Sequence, residues 1–306
     1  MYIIGENLHI LSPRFKEAVA NRDTAFVQEL ARKQLDAGAQ ALDLNIGPQK
    51  KAGPEVMTWL VNAVQEVCDA NLSFDTTNLD AIVTGLKLAK TQAIINSTSA
   101  QPERLEKVPL VAAEYGAKII ALTMADEGIP VSAEARVSIA LEKLLPRCEE
   151  VGIPIQNVLI DPLVLTVSGC QEFVPQCIEA VRILKAAIDP APIVSVGLSN
   201  VSNQVPKENR PLLNRVYAVM LMAVGLDAMI ADPLDEDLKE FIAVVEQRQA
   251  TTPLHELLLK LYDRTNASEE LTPDDVDWKD PAQVAVFKTV QVLLSKVIYA
   301  DGYLSV

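Results

Sequence analysis

The chain has 306 residues, and 41 Asp and Glu against 27 Lys and Arg give it a formal charge of −14. That balance excludes a nucleic-acid binder, which needs a concentrated positive face for phosphates, and equally a protein adsorbed on an anionic membrane surface. With 49% hydrophobic residues there is material for one large core, and no apolar run is long enough to form a membrane-spanning helix.

The first residues, MYIIGEN, read as a short buried strand at 2–6 rather than as a secretory leader, so a cytoplasmic protein is expected. A helix is predicted over 25–38, with apolar positions at 26, 27, 30, 31 and 35 and a stop at Gly38. Seven more Ile-, Val- and Leu-rich runs follow at 41–46, 71–76, 93–97, 118–123, 158–163, 193–199 and 227–231. Helical periods separate them, at about 54–70, 78–90, 104–116, 132–151, 171–188 and 210–225. Strands that are apolar on both faces belong to parallel sheets, and every crossover here contains a helix. Eight such units predict a closed (β/α)8 TIM barrel spanning 1–306 as one domain. A doubly wound sheet is the alternative.

The last unit is irregular. A helix is expected at about 235–248, then an excursion at about 249–283, then a closing helix at about 283–299. Between 235 and 280 there are thirteen Asp and Glu against five Lys and Arg, about −8 of the total charge. The stretch reads as a solvated helical insertion. The alternative is a docking surface, because the excursion is expected to leave from the C-terminal end of the eighth strand, where barrel active sites sit. Cys68, Cys148, Cys170 and Cys177 form no CxxC pair and read as free thiols.

Polar residues at the C-terminal strand ends are the first candidates for chemistry. Here they are Glu6-Asn7, Asp43 to Asn45, Asp75-Thr76-Thr77, Asn96-Ser97-Thr98, Thr123, Asp161, Ser199-Asn200 and Asp232. No Lys, Arg or His stands at a tip, so Schiff-base chemistry is disfavoured. The loops after strands 7 and 8 read GLSNVSNQ and ADPLDED, unlike a barrel phosphate site. With two histidines, His9 and His255, no histidine-rich metal site is available, and no metal is expected. A ring of Asp and Asn suits a neutral planar heterocycle edged with N–H donors, such as a pterin.

The segments LDLNIGP (42–48), FDTTN (74–78), IINSTSA (94–100), LIDPL (159–163) and GLSNVSN (197–203), followed by NRPLLNR (209–215), resemble the pterin-binding methyltransferases. The nearest likeness is to the methyltetrahydrofolate:corrinoid/iron–sulfur protein methyltransferases of the reductive acetyl-CoA pathway. The folate domain of cobalamin-dependent methionine synthase is a more distant relative. The resemblance implies that Asp75, Asn96 and Asp161 contact the pterin edge and that Asn200 approaches N5. It places Gly197 and Ser199 on the same wall, with Asp43 and Glu6 in the surrounding network. It also brings in Asn203, Gln204 and Arg210, although Gln204 stands one place later than in the family and the loop is longer before Arg210. The implied reaction is methyl transfer from N5 of methyltetrahydrofolate to the cob(I)amide of a separate corrinoid protein, by a homodimer.

N5 is a poor leaving group and must gain positive charge or a proton. His9 lies beyond the first strand tip and His255 falls in the excursion, so Asn200, organising water as the proton source, is the expected device. Neither histidine sits in the DxHxxG setting common to histidine-on corrinoid proteins, so the cobalt is expected on a partner. Lys50, Lys51, Lys207 and Arg210 are candidates for the folate glutamate tail. The alternatives are the tetrahydrofolate-methylating component of a methylamine or O-demethylase system and a non-catalytic folate-binding subunit. Dihydropteroate synthase is disfavoured, because its pyrophosphate leaving group calls for Lys or Arg near strand ends 7 and 8.

Overall fold

A computed structural model describes residues 1–305. Eight parallel strands close in sequence order into a barrel. They are β1 (Tyr2–Gly5), β2 (Ala41–Asn45), β3 (Asn71–Asp75), β4 (Ile94–Ser99), β5 (Lys118–Leu122), β6 (Val158–Asp161), β7 (Ile193–Gly197) and β8 (Ala228–Ala231). The (β/α)8 expectation therefore holds, and each strand falls within or beside its predicted run.

The β1–β2 connection holds two helices where the sequence pattern gave one, α1 (Pro13–Asn21) before α2 (Thr24–Asp36). Then come α3 (Gly53–Gln65), α4 (Leu79–Leu88) and α5 (Pro102–Tyr115). The predicted helix at 132–151 is α6 (Ala133–Ile139), running through a π-type turn at Ala140–Leu144 into α7 (Leu145–Glu150). A single kinked turn, α8 (Val167–Cys170), precedes α9 (Val174–Ala187) and α10 (Arg210–Ala223). The chain ends with α11 (Glu236–Gln247), α12 (Pro253–Asn266) and α13 (Pro281–Leu293). The closing helix is shorter than the predicted 283–299. Ser295 takes a left-handed conformation (φ 57°), and Tyr303 folds back to place its hydroxyl 3.0 Å from Thr289 Oγ1. The four cysteines are unpaired.

The excursion does not leave from the C-terminal face. From β8, α11 carries the chain to the opposite end of the barrel, where Glu246 pairs with the amino group of Met1. Only there does α12 begin, and its Leu257, Leu258 and Leu261 are buried in the main core. Helix direction is not written in periodicity, which is why the pattern misplaced the start.

Strand alternation explains how one barrel holds both a core and a site. Ile4, Ala41, Ile94, Ile120, Leu159 and Ala228 come from six strands and pack in one small cluster apart from the main core. Residues from so many strands meet only inside a closed barrel. Two residues further along the same faces stand Glu6, Asp43, Asn96 and Asp161, and four further along Ala41 stands Asn45. The interior thus turns from apolar to polar within one strand period.

Candidate functional site

The polar ring is a set of linked buried and half-buried groups. Asp43 Oδ1 accepts from Ser73 Oγ at 2.6 Å and from Asn96 Nδ2 at 3.1 Å. Asp75 accepts from the Asn45 amide, and Asn45 Oδ1 in turn accepts from the Gly47 backbone N–H at 3.1 Å. Asp161 Oδ1 accepts from the Leu163 N–H at 2.7 Å, a tight return that holds Leu163 at φ 65°. Glu6 Oε1 accepts from Ser199 Oγ at 2.6 Å, and Asn214 Nδ2 approaches the same hydroxyl at 3.4 Å. Asn7 Nδ2 donates to Asp232 Oδ1 at 3.0 Å.

None of Glu6, Asp43, Asp75 and Asp161 takes part in a salt bridge among the described residues. Burial therefore dominates their protonation. It pushes Glu6 up to about 7, helped by the Asp232 charge and opposed by the Ser199 hydrogen bond. It pushes Asp161 to about 7 as well, against the Leu163 N–H and the Arg136 charge. Asp43 is held well above the usual carboxylate range by burial and then by the Asp75 charge. Asp75 is raised by burial, while Asn45 pulls it down.

Ser199 and Asn200 lie on a 3-10 turn, Leu198–Ser202, directly after β7. A Cβ on Gly197 would meet Asn200 Nδ2 at 2.8 Å, so glycine leaves room for the Asn200 side chain to fold back over the strand end. The next loop faces outward. Asn203 is exposed and its carbonyl accepts from Thr166 Oγ1 at 2.5 Å; Gln204 is exposed at φ 64°. Arg210 is exposed at the first position of α10, and its Nε donates to the Val205 carbonyl at 2.6 Å. Lys50, Lys51 and Lys207 are all exposed. The structure thus brings Glu6, Asp43, Asp75, Asn96 and Asp161 together inside the mouth, sets Gly197, Ser199 and Asn200 on its wall, and leaves Asn203, Gln204 and Arg210 outside that network.

Tip-by-tip reading missed two groups. Arg104, in the first turn of α5, donates to the Ser97 carbonyl and, at 3.2 Å, to the Thr77 carbonyl, stapling the ends of β3 and β4. It borders a cleft of about 140 Å3 beside Asp75, Asn96 and Leu122. Arg136, fully buried in α6, donates to the Pro130, Pro162 and Leu163 carbonyls at 2.9–3.1 Å and so fixes the turn that follows Asp161 at the end of β6. Both arginines reach back from helices, and only their place one turn inside a helix after a strand tip hints at it. His9 pairs its backbone with Asn45 at the rim, and burial lowers its pKa while the Asp232 charge opposes.

A closed barrel whose mouth gathers carboxylates and amides at the C-terminal strand ends defines a class: a TIM-barrel protein with a polar mouth. The pattern of the pterin binding enzymes matches residues 12–232, and the chain belongs to that family. It is 28% identical over 244 residues to the methylcorrinoid:tetrahydrofolate methyltransferase of Eubacterium limosum, covering 78% of this chain and 87% of that protein. To the methionine synthase of Mycobacterium leprae it is 29% identical over 272 residues, covering 86% of this chain but 22% of that much longer protein. Among solved structures, the dihydropteroate synthase of Yersinia pestis superposes with a TM-score of 0.59 at 20% identity, over 81% of this chain and 92% of that one. The Thermus thermophilus enzyme gives 0.57 at 21% identity, over 79% and 92%. At such identity the likeness is one of fold. Among the described residues no helix is long and apolar enough to cross a membrane, and no three His, Cys, Asp or Glu side chains are grouped to hold a metal ion.

Proposed function

We propose that this chain is a methyltransferase that moves the N5 methyl group between methyltetrahydrofolate and the cobalt of a corrinoid carried by another protein. The observation that carries the reading is the mouth itself: four carboxylates, two buried and two half-buried, none in a salt bridge among the described residues, beside an asparagine folded over the end of β7. A pterin edge supplies the missing donors. In this reading Asp75, Asn96 and Asp161 hold the exocyclic amine, ring N–H and carbonyl, and Asp43 supports Asn96 from behind. Gly197 and Ser199 form the wall, and Asn200 stands at N5. Asn203, Gln204 and Arg210 line the approach for the rest of the folate.

The transfer is an SN2 displacement in which the cob(I) electron pair takes the methyl group and N5 ends as N–H. Asn200 cannot release a proton, but its carbonyl oxygen accepts from a protonated N5 and so favours the reactive form. We place the cobalt on a partner, a corrinoid iron–sulfur protein. The protein works in the cytoplasm as a homodimer, with 249–283 an addition to one pterin-binding domain. The name of the Eubacterium limosum relative puts methylcorrinoid first and tetrahydrofolate second. That order favours a second assignment, the tetrahydrofolate-methylating component of a demethylase system, in which the same site runs the exchange in reverse.

The experiment is calorimetric titration of methyltetrahydrofolate near pH 7 in two buffers of different ionisation enthalpy. Pterin donors favour the ionised form of Asp161, which sits near 7 in the free site. Binding with proton release, weakening as pH falls below about 7, supports the reading. Binding without proton exchange speaks against it.

A further inference from the structure

We propose that Glu6 is the proton store for N5 and that the Ser199 hydroxyl is the relay between them. The inference rests on the methyl-transfer reading and deepens it, replacing water with a named group as the proton source.

The geometry separates Glu6 from the other mouth carboxylates. Asp43 and Asp75 are engaged with Ser73, Asn96 and Asn45, and Asp161 with the Leu163 N–H. Among the described residues the Glu6 carboxyl has one hydrogen bond, the short 2.6 Å contact with Ser199, the residue next to Asn200. The amide oxygens of Asn7 and Asn214 are buried and have no donor, although Asn7 holds Asp232 and Asn214 approaches Ser199.

The charged group acting on Glu6 is Asp232, after β8, which disfavours a second negative charge. Its neighbours Asn7, Ser199 and Asn214 are neutral. Arg215, next to Asn214, is committed to Asp235 and Asp237. Burial and the Asp232 charge bring Glu6 to about 7, poised to give a proton at neutral pH. His9 cannot take this part, because burial lowers its pKa.

The step balances as follows. With the carboxyl protonated the 2.6 Å contact runs the other way, the Glu6 O–H donating to Ser199 Oγ and the Ser199 O–H turned to N5; the Glu6 proton passes to Ser199 Oγ while the Ser199 hydroxyl proton passes to the N5 lone pair, leaving Glu6 a carboxylate. The N5–CH3 bond then breaks with its electron pair returning to N5. The cobalt–carbon bond forms from the two electrons of cob(I), which becomes Co(III). Solvent reprotonates Glu6. In the reverse direction the carboxylate collects the proton from N5.

Single-turnover transfer from methyltetrahydrofolate to cob(I)alamin across pH, with infrared spectra of the unliganded protein, tests this. The wild-type rate constant is expected to fall as pH rises through about 7. Glu6→Gln should be slower by about 100-fold and flat with pH, with the methyltetrahydrofolate Kd within about threefold. Ser199→Ala should behave alike, whereas Glu6→Asp should keep a pH-dependent rate at an intermediate value. The infrared spectrum at pH 6 should contain a protonated-carboxyl band that Glu6→Gln lacks. A Glu6→Gln variant with the wild-type rate and pH profile would overturn the proposal. So would infrared spectra identical in wild type and variant, even with transfer intact. A wild-type chain that binds methyltetrahydrofolate but transfers nothing would instead sink the methyl-transfer reading, and with it the destination of the proton.

Discussion

At the barrel mouth, Glu6, Asp43, Asp75 and Asp161 are buried or half-buried, form no salt bridge among the described residues, and are all raised above the ordinary carboxylate range, Glu6 and Asp161 to about 7. In the 235–280 stretch the carboxylates are used differently. Asp235 caps α11 through the Leu238 N–H and takes bidentate contacts from Arg215 at 2.7–3.0 Å. Asp280 caps α13. Asp275 works against burial, yet hydrogen bonds from the Thr272 backbone and from Arg264 bring it down to about 2. The second region stabilises its own helix starts. The first costs stability and keeps acceptors ready for a ligand. The 41 acidic residues therefore do different work, and the few at the mouth are the ones that concern chemistry.

The sharpest way to break this comparison is substitution at the mouth. Asp75→Ala and Asp161→Ala should raise the methyltetrahydrofolate Kd by roughly 10- to 150-fold, the value of one charge-assisted hydrogen bond. Asn200→Ala should lower the single-turnover transfer rate over the same range, roughly 10- to 150-fold, by stopped-flow absorbance. Equal effects of Asp275→Ala on binding would erase the distinction between the regions.

Stability should separate them next, with opposite signs. Folded Glu6 and Asp161 keep protons up to about 7 that the unfolded chain has already released. Through these groups, stability falls as pH rises toward about 7 and levels off above it. Asp161→Asn should therefore raise Tm at pH 8 by about 2–5 °C, measured by calorimetry. Asp275 is depressed, so its contribution is full above its ordinary value and is lost as pH falls through about 2. Asp275→Asn should lower Tm at pH 7 by about 1–3 °C.

The smallest effect belongs to the exposed acids Glu256 and Asp274. Reversing both to Lys should leave transfer to the corrinoid partner within about twofold, because the excursion starts at the end of the barrel opposite the mouth. A larger loss would restore this stretch as a docking surface. Deleting it is a poor test, since Leu257, Leu258 and Leu261 belong to the main core.

Much of this was legible in the sequence because of how a parallel barrel is made. Strands such as β5 (Lys118–Leu122) are covered on both faces, so they appear as apolar runs. The mouth residues follow them at once, so Asp43, Asp75, Asn96 and Asp161 could be picked out by position. Less legible were contacts that return from a distance. Arg104 and Arg136 sit in ordinary amphipathic helices, and only folding brings them to the loops after β3, β4 and β6. Helix α1 was missed because PRFKEAVAN buries only Phe15, Ala18 and Val19, too short a stripe for periodicity to announce. The pairing of Glu6 with Ser199 spans 193 positions and is invisible to local pattern.

The most direct measurement mixes the protein with methyltetrahydrofolate and free cob(I)alamin and follows the cobalt absorbance. Methylcobalamin should form together with an equal amount of tetrahydrofolate, at a rate that Asn200→Ala slows. Tight binding of methyltetrahydrofolate with no methylcobalamin would contradict the methyltransferase and leave a folate-binding protein in its place.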